Sequence, residues 1–306
     1  PPLLNLQSDI DRIEAAEDRD VGEYAAQNWN EFSIYLGGES KFPNLHKQIP
    51  YPVDDSSILP FYDLQAFLSS SDNSYLNTIN IIGNPFSYPY KAELMDLLYS
   101  IPVKKNFYLT ASTACRFIKE IQQIDLPNYE LYIYYEQEEA SIHHILTEKQ
   151  IPFHWIYLIS SEKQYEDLEK LETKYGNEYV EVHPIYTGDN LPFFEENVYL
   201  AEEDILQSNY DKQDIFAHQV MNTNFWGRLS VLPDGKVYSN LNHPPLGTLK
   251  DRVYDLIVDE MTSKRAWRWI RDEVSPCKDC LFRYLCPSPS NYELVIGKPN
   301  LCHVKP

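Results

Sequence analysis

Basic residues are scarce in this chain. Lys and Arg number 26 against 46 Asp and Glu over 306 residues, a formal net charge of -20. The concentrated positive face that nucleic acid or an anionic membrane requires is therefore missing, and the acidic balance reads first as a solubilising surface. No apolar run is long enough to cross a bilayer, and Pro1-Pro2-Leu3-Leu4 lacks the charged, apolar and cleavage regions of a signal peptide. A cytoplasmic location is expected, and the absent initiator Met implies a fragment or processed chain. Walker, dinucleotide and nucleophile-elbow fingerprints are absent, as is any internal repeat. Cysteine is nearly absent before residue 270: Cys115 stands alone on an expected helix as a small buried hydrophobe.

What is present is a 43% hydrophobic composition, enough for a sizeable core. From residue 31 to 190, β-rich runs alternate with helical patterns. Strands are expected at 32–36, 78–82, 106–109, 130–134, 154–158 and 180–185, and helices at 90–100, 112–123, 138–149 and 162–175. Repeated strand–helix units imply a parallel sheet. Leu168, Leu171 and Tyr175 read as helix packing with Gly176-Asn177 as the stop and Ser160 or Ser161 as the cap. Asp54 to Ser57 and Ser69 to Ser74 read as loops around one helix, and Tyr132, Tyr134, Tyr135 and Trp155 as buried strand aromatics. The adjacent His143 and His144, near Glu138 and Glu139, diverge by about 100° around a helix and read as boundary residues rather than a metal pair. Thr187-Gly188-Asp189-Asn190 reads as a loop.

The pattern changes near residue 213. Two short apolar runs flank Pro233-Asp234-Gly235, a hairpin signal, followed by Gly247, a helix to about Thr262 and a second through Trp267 and Trp269. The expected organisation is a lead-in over 1–30, a first domain over 31–212 and a small metal-binding domain over 213–306.

That last segment holds Cys277-x2-Cys280-x5-Cys286-x15-Cys302. Four cysteines so clustered point to one metal site rather than a disulfide framework, and four thiolates leave no open position for substrate. Ligand count alone admits a four-thiolate iron–sulfur cluster or tetrahedral zinc, with His303 as a conceivable substitute ligand.

These cysteines, behind the Pro233-Asp234-Gly235-Lys236-Val237-Tyr238 hairpin and Gly247, resemble a SPASM domain. Such domains follow radical S-adenosylmethionine (SAM) enzymes that modify ribosomally made peptides, and commonly hold two auxiliary [4Fe-4S] clusters. The run from Cys286-Pro287-Ser288-Pro289 to Gly297-Lys298-Pro299-Asn300-Leu301-Cys302 is similar to pseudo-radical-SAM, SPASM-domain proteins of Bacteroidales peptide-maturation systems. The resemblance implies an α/β fold: a partial (β/α)6 TIM-like barrel followed by a small SPASM-like domain with a β-hairpin, helices and cysteine loops.

Departures from the family pattern are informative. Three positions that carry first-cluster cysteines in the family hold Asn240, Arg252 and Ser290, whereas Cys277, Cys280, Cys286 and Cys302 match the second cluster. The loop Gly37 to Tyr51, where the family places its Cys-x3-Cys-x2-Cys motif, contains no cysteine and offers Ser40, Asn44 and Lys47 at that spacing. The family's Gly-Gly-Glu-Pro, which holds the SAM amino group, is replaced by Ile82-Gly83-Asn84-Pro85, without the anion. SAM is therefore not expected. The resemblance implies a degenerate enzyme acting as a binding or partner subunit for a precursor peptide or its maturase, with one auxiliary cluster. A redox partner of a true radical SAM maturase and a zinc-stapled interaction module are the alternatives.

Overall fold

The computed structural model describes residues 27–38, 40–70, 75–136, 140–176, 180–263 and 265–304. Most of the expected lead-in, Ser71 to Ser74, Glu138, Glu139 and Asn177 lie outside these residues.

Six strands follow one another in parallel: β1 (Glu31–Tyr35), β2 (Thr78–Ile82), β3 (Lys104–Thr110), β4 (Tyr129–Tyr134), β5 (Phe153–Ile159) and β6 (Val180–Pro184). Between them run α1 (Phe61–Ser69), α2 (Lys91–Ser100), α3 (Ala111–Arg116), α4 (Ile118–Ile121), α5 (Ala140–Glu148) and α6 (Glu162–Tyr175). Three short helices, α7 (Leu191–Asn197), α8 (Glu202–Gln207) and α9 (Lys212–Val220), then lead to β7 (Arg228–Val231). Strand β7 does not start a separate sheet: it pairs in parallel with β1, and β8 (Lys236–Tyr238) and β9 (Gly247–Thr248) extend the edge antiparallel. The order is β6-β5-β4-β3-β2-β1-β7-β8-β9, unbroken across residue 213. Gly235 makes the β7–β8 turn with φ of 80°, a conformation that suits glycine.

Strand alternation divides the sheet into two chemically different faces. Phe32, Ile34, Ile79, Ile81, Phe107, Leu109, Leu131, Ile133 and Trp155 share one buried apolar core with α1 and α2 residues such as Phe67 and Leu98. The opposite parity is polar and aromatic. Ser33, Asn80 and Asn106 stand in register, with Asn106 Nδ2 donating to Asn80 Oδ1 at 3.0 Å and Asn80 Nδ2 donating to Ser33 Oγ at 3.0 Å.

Three expectations are corrected. Cys115 is exposed: Ala111 and Ala114 take the buried positions of α3, and the next residue turns toward solvent. The expected helix over 112–123 breaks at Phe117, whose backbone leaves helical values and whose ring stacks on Phe86 at 5.5 Å. No helix runs through Trp267 and Trp269 after α10 (Val253–Ser263). Buried Asn222 claims that backbone instead, its N–H reaching Trp267 O at 2.7 Å and its Nδ2 reaching Trp269 O at 2.9 Å.

The same corner buries Glu260, which accepts from Trp267 N–H at 2.8 Å and Ser239 Oγ–H at 2.6 Å. Burial pushes its carboxyl up, against the pull of those two donors. A raised carboxyl contributes stability that is complete below the ordinary carboxylate range and is lost as pH rises through the folded value. Gln retains an acceptor for Trp267 and offers an N–H to Ser239 Oγ. Glu260→Gln is therefore expected to flatten the pH dependence of urea unfolding above that range, and a pH profile identical to wild type would contradict this.

Candidate metal centre

The C-terminal loops bring all four predicted cysteines to one cavity. Cys277 begins a single 3-10 turn, Cys277–Asp279, which Cys280 closes by donating its N–H to Cys277 O at 2.9 Å. Cys286 N–H bonds Phe282 O at 3.0 Å. Cys302 arrives from the chain end and is held in a parallel bridge with Leu200: Leu200 N–H reaches Leu301 O at 3.1 Å, and His303 N–H reaches Leu200 O at 3.0 Å. No disulfide joins any of them. His303 is not among the cavity walls, and its Nε2 meets Glu195 O at 2.7 Å.

Cys277 and Cys280 are buried, Cys286 and Cys302 half-buried. Burial pushes the Cys277 thiol up and the Cys286 thiol up to about 11, with Arg271 opposing both shifts. Burial therefore favours the neutral form of these two thiols, and a metal binding them must displace their protons. The cavity encloses about 30 Å³, more than the roughly 10–15 Å³ that one water requires. Among the described residues, no three His, Cys, Asp or Glu side chains converge on a single ion. Asn300 Nδ2 donates to Cys302 Sγ at 3.2 Å, the kind of N–H contact that supports cluster sulfur. The donor set fits a four-thiolate cluster.

The positions that the resemblance relates to SAM binding follow β2. Gly83, at the end of β2, has φ of 112°, and a Cβ there would stand 2.4 Å from Gly37 O. Asn84 caps the Pro85–Ser87 turn, its Oδ1 accepting from Phe86 N–H at 3.1 Å and Ser87 N–H at 3.2 Å. Gly83 and Asn84 line a cavity of about 490 Å³ with Gly38, Asp54, Asp55 and Arg116.

Beside it, the loop after β1 turns inward. Leu45, Ile49 and Tyr51 are buried against Tyr132, Tyr134, Ile156 and Ile185 on the polar and aromatic side of the sheet, with Tyr51 edge-on to Tyr134 at 4.7 Å. Asn44 enters the Leu45–Lys47 turn with φ of 62°. The C-terminal region pins this loop: Asn242 Nδ2 donates to Lys47 O at 2.7 Å and Asn291 Nδ2 to Gln48 O at 3.1 Å. Gln48 in turn makes a reciprocal pair with the Tyr186 backbone at 2.8 and 2.9 Å.

Of the three positions lacking first-cluster cysteines, Asn240 is buried and donates to Asn291 Oδ1 at 2.8 Å. Ser290 caps α11 (Asn291–Ile296), and Arg252 lies at the surface, paired with Asp255 at 3.1 Å. Sequence reasoning did not single out Asn222, Asn242, Arg271, Asn291 or Glu293. The Ser290-x2-Glu293 capping box was the available signal for the last of these.

No known protein family and no curated protein matches the sequence. The fold does have solved counterparts. SuiB from Streptococcus suis, bound to the precursor peptide SuiA, superposes with a TM-score of 0.51 at 11% identity, covering 91% of this chain and 76% of that one. The anSMEcpe structure with bound AdoMet and Cp18Cys peptide gives 0.51 at 12% identity, covering 84% and 88%. The shared property is the fold. Among the described residues, no helix is long and apolar enough to cross a membrane.

The backbone of Leu301 and His303 ties the segment around Cys302 to Leu200, and a metal held by the Cys302 thiol would brace that bridge, so loss of the thiol should be felt in two places. Cys302→Ser is expected to lower bound metal per chain at least tenfold and to speed hydrogen exchange at the Leu200 amide. Wild-type metal content in this variant would remove Cys302 from the ligand set.

Proposed function

We propose that this chain is a catalytically degenerate relative of radical SAM enzymes that serves ribosomal peptide maturation as a peptide-binding or partner subunit. In this reading β1 to β6 with their helices are a partial (β/α)6 barrel. The segment from about residue 213 is a SPASM-like module that adds strands to the barrel's edge, and Cys277, Cys280, Cys286 and Cys302 hold one auxiliary [4Fe-4S] cluster.

The observation that carries the proposal is the loop after β1. The resemblance puts the SAM-binding cluster there, and this chain instead has no thiolate in that loop and packs its Leu45, Ile49 and Tyr51 against the sheet. Asn84 stands where the family carries its acidic residue, and the carboxylates lining the cavity beside it are those of Asp54 and Asp55. The retained cluster would supply one-electron transfer or structural support, and four cysteine ligands leave it no open iron for substrate. The peptide-bound state of both solved counterparts supports a peptide as partner. The 490 Å³ cavity beside Gly83 is within the range of ligand sites and is a candidate place for peptide side chains.

A second reading, electron transfer to a true radical SAM maturase, is favoured by Leu281. This residue follows Cys280 and is 91% exposed, an apolar contact beside the centre from which an electron would leave.

Both readings require a partner. Tagged protein, produced together with any precursor peptide and maturase encoded beside its gene, is expected to retain at least one of them through purification. Recovery of the chain alone under these conditions would count against both.

A further inference from the structure

A buried ion pair needs a reason, because apolar residues of similar volume often give equal stability. Arg271 and Glu293 form such a pair at 2.7 Å, with side chains 9% and 2% exposed. Their neighbours supply the reason. Arg271 Nε donates to Pro287 O at 3.1 Å, beside Cys286, and Nη1 donates to Pro299 O at 3.3 Å, three residues before Cys302. The same Nη1 stands 3.9 Å from Cys277 Sγ. One guanidinium thus touches all three stretches of chain that carry the thiols. Its Nη2 is committed to Glu293 Oε1, and the other carboxylate oxygen of Glu293 accepts from Ser290 N–H at 2.8 Å.

The pair is therefore polarised, its cationic end toward the sulfurs and its anionic end toward the cap of α11. We propose that the Arg271–Glu293 pair sets the reduction potential of the iron–sulfur centre, besides fixing the positions of its ligand loops. This rests on the cluster assignment above. Reduction adds one electron to the cluster, taken from an external one-electron donor that is itself oxidised by one electron, and no bond or proton need move. The added negative charge is stabilised by Arg271, so Arg271 favours the reduced state and Glu293 opposes it. Arg271 acts through charge and ligand placement and is a positioning residue, not a catalytic one.

A simple structural clamp would not give shifts of opposite sign, and this separates the two roles. Full-length wild type, Arg271→Gln, Arg271→Lys and Glu293→Gln are reconstituted anaerobically with iron and sulfide, counted for both, and titrated with dithionite under electron paramagnetic resonance. Arg271→Gln is expected to make reduction at least tenfold less favourable, about 59 mV lower for a one-electron couple. Glu293→Gln should shift the potential upward, and Arg271→Lys should restore most of the loss. If Arg271→Gln cannot hold iron, the decision falls to Glu293→Gln, where an unchanged or lowered potential overturns the proposal. Full iron and sulfide with potentials that do not move overturn this role alone. Zinc without sulfide overturns the cluster assignment and this role with it.

Discussion

The packing of the loop after β1 against the sheet decides what this fold can hold. Burying side chains the size of Leu45, Ile49 and Tyr51 contributes about 1.5–3 kcal/mol each. Together that is comparable to much of the roughly 5–15 kcal/mol net stability of a typical domain. The loop cannot leave the sheet without forfeiting a large share of the fold's margin. Its backbone is also fastened by Asn242 and Asn291, and its Gln48 by Tyr186, so apolar packing and polar fastening act on the same few residues.

This ties together two departures that look independent in the sequence. The loop without cysteine and Asn240, at a position where the resemblance implies a cysteine, lie in one hydrogen-bonded network: Asn240 donates to Asn291 Oδ1, and Asn291 donates to Gln48 O. Side-chain amides now connect the C-terminal region to the loop near the positions where the family carries ligands. The four C-terminal thiols have a separate anchorage, through the Leu200 bridge and the Arg271 contacts.

Much of this was legible before any coordinates. All six β-rich runs became parallel strands because alternation and β-branched or aromatic content survive as local signals. The Asp234-Gly235 turn dictated its hairpin, and cysteine spacing brought four residues to one cavity. Non-local pairing was not legible. Nothing in Arg228 to Val231 announces that it will lie parallel to β1, because a strand's own pattern does not name its neighbour. Trp267 and Trp269 look helical until Asn222, far away in sequence, takes their carbonyls. Cys115 was misplaced because a small apolar residue on a short helix gives no strong phase. Arg271 gave no local signal at all, since its partners, the Glu293 carboxylate and the Pro287 and Pro299 carbonyls, are brought together only by the folded loops.

The central claim is that the loop after β1 carries packing side chains and no cluster ligand. It is tested most directly by incubating the anaerobically reconstituted chain with SAM and a strong reductant, and measuring 5′-deoxyadenosine. The account predicts no product above a cluster-free control. Turnover above that control would contradict it, because it would require a SAM-binding cluster that no thiolate of the loop after β1 can hold.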